Sequence, residues 1–223
     1  RLMQPIHDIY ERLYAHFGPQ HWWPGDSPLE VIVGAVLTQN TNWKNVDRAL
    51  ANLRDADLLR LEALSELDAE ELAEFIRPAG YYRLKARRLQ NLLGFIGREY
   101  GGSLAAMFAA DLSTLREQLL GVNGIGPETA DSILLYAGEY ATFVVDTYTQ
   151  RVLKRHGWIE PEADYHATKD YFESRLADDA AHFNEYHALL VRVGHHHCKP
   201  TPRCEGCPLE SLLPEGGPVV PED

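Results

Sequence analysis

Cysteine is scarce in this chain, with three among 223 residues. All three fall within ten positions, at Cys198, Cys204 and Cys207. A disulfide framework wants an even, dispersed set, so this clustering points instead to a metal site in a reducing compartment. Long hydrophobic runs are also missing. No apolar stretch approaches the roughly 18 residues that a membrane span requires. The first residues carry no basic segment followed by an apolar one, so nothing in them suggests secretion. A cytoplasmic setting is the expectation, beside the nucleoid if the source is bacterial. Basic residues are outnumbered, 21 Lys and Arg against 33 Asp and Glu, a net charge of −12. An acidic average argues mildly against a polyanionic partner, because binders of polyanions are usually basic overall. Strictly alternating apolar and polar stretches are few.

Helical periodicity is what remains. Leu29, Ile32, Val33 and Val36 recur at i, i+3, i+4, i+7. So do Leu89, Leu92, Leu93 and Ile96, and again Tyr186, Leu189, Leu190 and Val193. Each set paints one apolar stripe on a helix. Pro and Gly separate these blocks, at Pro24-Gly25, Pro78-Ala79-Gly80 and Gly101-Gly102. The pattern predicts an all-α protein of about ten short helices. Charge is segregated along it. From Arg54 to Glu74 there are eight acids and two bases; from Arg77 to Arg98 there are six bases and no acid. Such blocks predict either one basic face on an acidic protein or an ordinary solvated helix surface.

Residues 118–151 are the most informative. Gly124-Ile125-Gly126 makes a tight turn between two short apolar segments, with Pro127 suited to the first helical position. Both glycines are read as needing positive φ or close approach by a ligand. The exposed N–H groups and dipole at such a helix start favour an anion, and a phosphate of nucleic acid can be gripped there without reading sequence. Ala130, Ile133, Leu134 and Ala137 predict one apolar face of the following helix. A buried Phe143-Val144-Val145 run comes next, then Asp146, with Thr147 onward reading as helix. Asp146 therefore falls at a helix N-terminus, which favours its ionised form.

The stretch L-x-G-V-N-G-I-G-P-E-T-A, an apolar run and V-D-T resembles the helix–hairpin–helix glycosylases of the endonuclease III superfamily. Segments 31–43, 77–89 and 124–137 are especially similar to the 3-methyladenine DNA glycosylase III branch. The resemblance spans about residues 7 to 209. It implies a two-domain all-α fold with a C-terminal metal-cluster loop. Residues 25–138 would form a helical barrel domain, and 1–24 with 139–213 a second domain, leaving 214–223 as a flexible acidic tail. It implies hydrolysis of the N-glycosidic bond of a damaged base flipped out of double-stranded DNA; a monomer with no membrane partner is the plain expectation. Asp146 would stabilise the positive charge that builds on the sugar, or help to activate water.

Lyase members of that family carry a lysine two residues after the second hairpin glycine, which forms an imine with the sugar. Here Glu128 stands at that position, and a carboxylate cannot form an imine. The expectation is a monofunctional glycosylase, with Glu128 either a second catalytic-site acid tuning the pocket or a solvent-facing side chain. Trp22, Trp23 and Trp43 match aromatics that line the base pocket of the 3-methyladenine branch, and their ring faces suit a cationic alkylated purine. Alone they would read as core. Oxidised pyrimidines, or non-catalytic lesion binding, are the alternatives. Extruding a base leaves a hole in the duplex to be filled. Gln39 and Asn40 match one polar wedge and Tyr81 a second, with Arg83, Lys85 and Arg87 holding nearby phosphates.

The run from Cys198 to Leu213 resembles the family's iron–sulfur loop, in which four cysteines hold a [4Fe–4S] cluster. The family spacing is six residues, two, then five. This chain gives five, then two, and has Leu213 at the fourth position. Three thiolates could still hold a cubane whose fourth iron takes water, a carboxylate or a histidine, with His195, His196 and His197 immediately upstream. Tetrahedral zinc is the alternative. The loop's role would be structural, presenting Lys199 and Arg203 to DNA.

Overall fold

Polar caps set where the helices begin. Ser27, Asn42, Asp68, Ser103, Asp111, Asp146, Asp164 and Asp179 each accept a hydrogen bond from the backbone N–H three residues on. Each satisfies a donor that a helix start leaves open. The computed structural model describes residues 5–220. Among the described residues the chain is all-helical, with α1 (Ile6–Phe17), α2 (Pro28–Leu37), α3 (Trp43–Asp55), α4 (Leu61–Glu66), α5 (Ala69–Phe75), α6 (Tyr82–Tyr100), α7 (Leu104–Met107), α8 (Leu112–Leu120), α9 (Pro127–Ser132), α10 (Thr147–Arg155), α11 (Tyr165–Glu173) and α12 (Ala180–His196). No described helix is long and apolar enough to cross a membrane.

The chain divides into two compact units. One runs from Trp23 to Tyr140; the other joins the N-terminal stretch up to Trp22 with the chain from Ala141 onward. In the Trp23–Tyr140 unit, the predicted stripes of α2 and α6 are buried: Ile32, Val33, Val36, Leu89, Leu92 and Ile96 are each 0% exposed. Ile125 of the glycine turn and Ala130, Ile133 and Leu134 behind it join the same core. The helix after the turn differs from the single α-helix expected. It is α for six residues and then π over Ile133–Ala137, where the Gly138 N–H reaches back five residues to the Ile133 carbonyl at 3.1 Å.

The other unit is built on rings. Phe143 stacks on Phe172 at 4.0 Å and meets Phe183 edge-on at 5.4 Å. The Tyr186 hydroxyl donates to the Ile6 carbonyl at 2.6 Å, tying α12 to α1. Among the described residues the Phe143–Val145 run has no strand partner, and α11 side chains satisfy the backbone of Phe143. Glu173 accepts from the Phe143 N–H at 2.8 Å, and Lys169 donates to the Phe143 carbonyl at 3.0 Å and to Thr142 Oγ1. This frame fixes the backbone three residues before Asp146. The end of the chain departs from a frayed tail. Val219 donates its N–H to the Arg155 carbonyl at 2.8 Å, and Pro218 lies among the cysteine-loop residues. Half-buried Pro218 and the Val219 backbone bond anchor the segment, and that offsets the loss of chain entropy. Residues 221–223 of the expected tail lie outside the described residues.

Candidate active site and metal loop

Asp146 is the N-cap of α10. Its Oδ1 accepts from the Thr149 N–H at 2.8 Å and the Thr149 hydroxyl at 2.9 Å. Its Oδ2 lies 3.6 Å from His187 Nε2 on α12, and the side chain is 16% exposed. The carboxylate is thus held by one oxygen, and its side chain is partly open to solvent. Gly194 brings the helices together: a Cβ there would stand 2.4 Å from Tyr148 Cδ1, so only glycine lets α12 close on α10. The Trp22 ring lies 6.5 Å from the His187 ring in the same unit. Trp23 and Trp43 belong to the other unit, where Trp43 packs over Gly34. None of the three tryptophans is buried; they are 37%, 54% and 36% exposed, respectively.

The glycine turn is built as a tight corner. Gly124 has φ of +92°, and a Cβ there would fall 2.2 Å from Arg88 Cγ. Gly126 differs from the expectation of positive φ. It is extended, with φ −90°, and nothing lies within 4 Å of a Cβ built on it. Its missing side chain leaves the outer face of the corner open. Glu128, in the first turn of α9, is exposed.

Several predicted contacts are placed elsewhere. Gln39 is not a free wedge. Its amide nitrogen donates to the Gly124 carbonyl and to Thr129 Oγ1, both at 3.1 Å, and its oxygen accepts from Arg88 at 2.6 Å. It braces the glycine turn from behind. Asn40, next along, is exposed with φ of +51°. Tyr81 is 70% exposed with φ of +47°, a strained backbone for a side chain of that size. Lys85 cannot hold a phosphate. It is 1% exposed, and its ammonium donates to the carbonyls of Leu37 at 2.9 Å and Ala79 at 2.8 Å. Burial, aided by the charge of Arg88, lowers it from 10.5 to about 8. The amphipathic period of α6 turns that position inward, where the long stem packs and the tip finds carbonyls.

The basic block is also less free than its sequence suggests. Arg77 pairs with Glu74 at 3.2 Å and Arg83 with Glu70 at 3.3 Å, both exposed. Such surface pairs are weak, so Arg83 can exchange its carboxylate for a phosphate at little cost. Arg87 is exposed on α6.

The cysteines border one concavity together with Arg155, His156, His197, Glu210 and Leu213. Arg155, 8% exposed, organises it: the guanidinium donates to Cys198 Sγ at 3.4 Å, to the Lys199 carbonyl at 2.5 Å and to the Pro200 carbonyl at 2.6 Å. Burial pushes the Cys207 thiol up to about 11, and the neighbouring Cys204 and Cys198 add to it. Burial raises the Cys204 thiol as well, with Cys198 adding to it and Arg155 opposing it. Among the described residues, no three His, Cys, Asp or Glu side chains converge tightly enough to bind a single ion. His195 lies tilted against Tyr148 and His196 stacks on Phe17; of the three upstream histidines, His197 lines the concavity. Sequence reasoning missed His187, Thr149, Arg88 and Arg155. Each is a lone residue on an amphipathic helix, and no spacing rule distinguishes it.

A glycine corner leading into a short helix, and an acid capping the helix after it, define the class of helix–hairpin–helix DNA glycosylase folds. Residues 33–178 match the family described as HhH-GPD superfamily base excision DNA repair protein. A Methanocaldococcus jannaschii protein named "Putative DNA repair glycosylase" is 46% identical over 209 residues, covering 93% of this chain and 94% of that protein. Endonuclease III of Bacillus subtilis is 30% identical over 194 residues, covering 85% of this chain and 82% of that protein. The structure of the H. pylori 3-methyladenine DNA glycosylase bound to 1,N6-ethenoadenine superposes with a TM-score of 0.76 at 31% identity, covering 86% of this chain and 97% of that one. A non-covalent endonuclease III–DNA complex superposes with a TM-score of 0.82 at 25% identity, covering 97% of each chain. The chain belongs to the HhH-GPD DNA glycosylases of the endonuclease III superfamily.

Proposed function

We propose that this protein is a monofunctional base-excision glycosylase that hydrolyses the N-glycosidic bond of an alkylated purine in double-stranded DNA and leaves the backbone uncut. The observation that carries the reading is the tethering of Asp146. With Oδ1 fixed by Thr149, the carboxylate stays at a set position with its side chain partly open to solvent. A fixed charge of this kind stabilises an oxocarbenium-like sugar without reorganising.

The residue at the lyase position supports the hydrolytic outcome. Glu128 occupies the position where lyase members of the family have lysine, and a carboxylate cannot attack the sugar to form an imine. The two buried lysines do not replace it. Lys85 is committed to two carbonyls, and Lys169 to Thr142, Phe143 and Glu173. Trp22, Trp23 and Trp43 keep exposed ring faces that suit a cationic base. Such a base is already a good leaving group and needs little acid catalysis. Asn40 and Tyr81 would fill the gap left by the extruded nucleotide. The open face at Gly126, with Arg83 and Arg87, would take backbone phosphates.

The cysteine loop fits a [4Fe–4S] cluster held by Cys198, Cys204 and Cys207 better than it fits zinc. The three thiols line one concavity without converging on a single point, and Arg155 beside Cys198 would offset thiolate charge. His197 or Glu210 could supply the fourth position. Held by these residues, a cluster would supply a structural clasp for the loop, and Asp146 acts without it.

The test is a panel of duplexes, each with one defined lesion, analysed with and without hot alkali. Strand breaks only after alkali, strongest for N3- or N7-alkylated purines, are expected. Asp146→Asn should slow release by about 10²-fold or more while DNA binding persists. Breaks before alkali would overturn the monofunctional reading. Binding without release from any duplex would make the protein a lesion-binding module.

A further inference from the structure

Gln39 spends its whole side-chain amide inside the Trp23–Tyr140 unit. The Arg88 guanidinium only donates, so the atom facing it at 2.6 Å is the amide oxygen. The Gly124 carbonyl only accepts, so the amide nitrogen faces it at 3.1 Å and gives its second hydrogen to Thr129 Oγ1 at 3.1 Å. One side chain thus joins the turn after α2 to both sides of the glycine corner, Gly124 before it and Thr129 beyond Gly126. Helix α6 completes the frame. The Arg88 stem lies so close to Gly124 that a Cβ there would fall 2.2 Å from Arg88 Cγ. Asn91, three residues on, donates to the Asn123 carbonyl at 3.2 Å. Lys85, three residues back, ties the Leu37 carbonyl to that of Ala79. Positions three apart lie along one side of a helix, so one side of α6 registers the corner, the turn after α2 and the approach to Tyr81. Asn40 follows Gln39 directly, exposed and with φ of +51°. Such a backbone costs a non-glycine residue energy and persists where its surroundings hold it, and the anchored neighbour supplies that hold.

We infer that Gln39 is a positioning residue that holds Asn40 in register with the glycine corner, so that docking the corner on a backbone phosphate sets where Asn40 enters the duplex. The inference rests on the glycosylase reading, in which the corner takes a phosphate and Asn40 fills the gap left by the extruded nucleotide. Phosphates are spaced regularly along a strand, so a fixed distance from the corner to Asn40 is a fixed place along the DNA. Gln39 sets that distance by holding the corner through Gly124 and Thr129 and the turn through its own backbone. The same bonds order both elements before DNA arrives, so that cost is not met on binding. A displacement of about 1 Å in such a contact is enough to slow a reaction by about 10²-fold. Gln39 acts through Asn40 and the corner, not on the reacting atoms.

The experiment uses the lesion duplex that the wild type processes fastest, with 2-aminopurine beside the lesion to report base extrusion by fluorescence. Extrusion and single-turnover release are followed at enzyme concentrations that saturate the duplex, so that affinity drops out. Asn40→Ala and Gly126→Ala should each slow extrusion about tenfold, and together about tenfold to twentyfold rather than a hundredfold, because they disable one device. In a Gln39→Leu protein the two effects should multiply independently to within about twofold. Gln39→Glu keeps the Arg88 pair but sets an oxygen against the Gly124 carbonyl, and should behave like Gln39→Leu. A merely structural brace would lower the thermal midpoint in these variants and leave the two effects multiplying alike with and without Gln39. Gly126→Ala that weakens binding yet extrudes at the wild-type rate when saturated would overturn the inference, as would independent multiplication with Gln39 intact; both leave the glycosylase reading standing. Those two outcomes are read with Gln39 present, so they decide the question even where Gln39→Leu does not fold. A wild type that neither extrudes nor releases a base would sink the proposed function itself, and this inference with it.

Discussion

Lys85 gives a direct test of how the Asn40 and Tyr81 turns are held. Its ammonium bonds the carbonyl that ends α2 and the carbonyl of Ala79, just ahead of Gly80-Tyr81. Burial of that charge lowers the group from 10.5 to about 8. Below about pH 8 folded and unfolded chains both carry the proton, and the folded state bears the whole cost of burying it. That cost is about 3 kcal/mol for the gap between the two values. Between about 8 and 10.5 the unfolded chain binds the proton more tightly, so stability rises with pH across that window. Lys85→Met removes the titration and leaves two carbonyls unbonded, a loss that does not vary with pH. Urea unfolding of both proteins should show the wild-type stability minus the variant's rising by about 2 kcal/mol from about pH 7.5 to about pH 9.5, before tyrosines titrate. A flat difference would refute the burial argument. The same variant should leave the salt dependence of duplex binding unchanged, whereas Arg87→Ala should lower the slope by about one. A lower slope for Lys85→Met would restore it as a phosphate contact.

The two turn glycines should separate cleanly. Gly124→Ala, with positive φ and a Cβ driven into Arg88, should destabilise by about 2 kcal/mol or more in thermal unfolding. Gly126→Ala should stay within about 0.5 kcal/mol of wild type and lose DNA affinity instead. Tyr81→Gly should relieve about 1 kcal/mol of backbone strain, leaving stability equal or higher, while excision from fully paired duplex falls. Protein purified without oxygen should be brown with a broad visible absorption band, lost in Cys207→Ser; a colourless protein containing zinc would reject the cluster.

The sequence alone was enough to decide the helical class, the glycine corner and the acid after it. Those features are local. A 3.6-residue apolar period, a capping residue or a glycine with positive φ acts over a few neighbours, so the order of residues states it directly. Asp146 as an N-cap was legible for that reason. What Asp146 meets was not. His187 lies 41 positions away, and only the close approach that Gly194 permits between α10 and α12 brings its ring to the carboxylate. Lys85 and Gln39 show the same limit from the other side. Both sit in segments that read as basic or polar surface, yet each is turned inward to satisfy backbone carbonyls. A sequence states which groups need hydrogen-bond partners; the packed chain decides which partners come within reach, because burial makes leaving them unsatisfied costly.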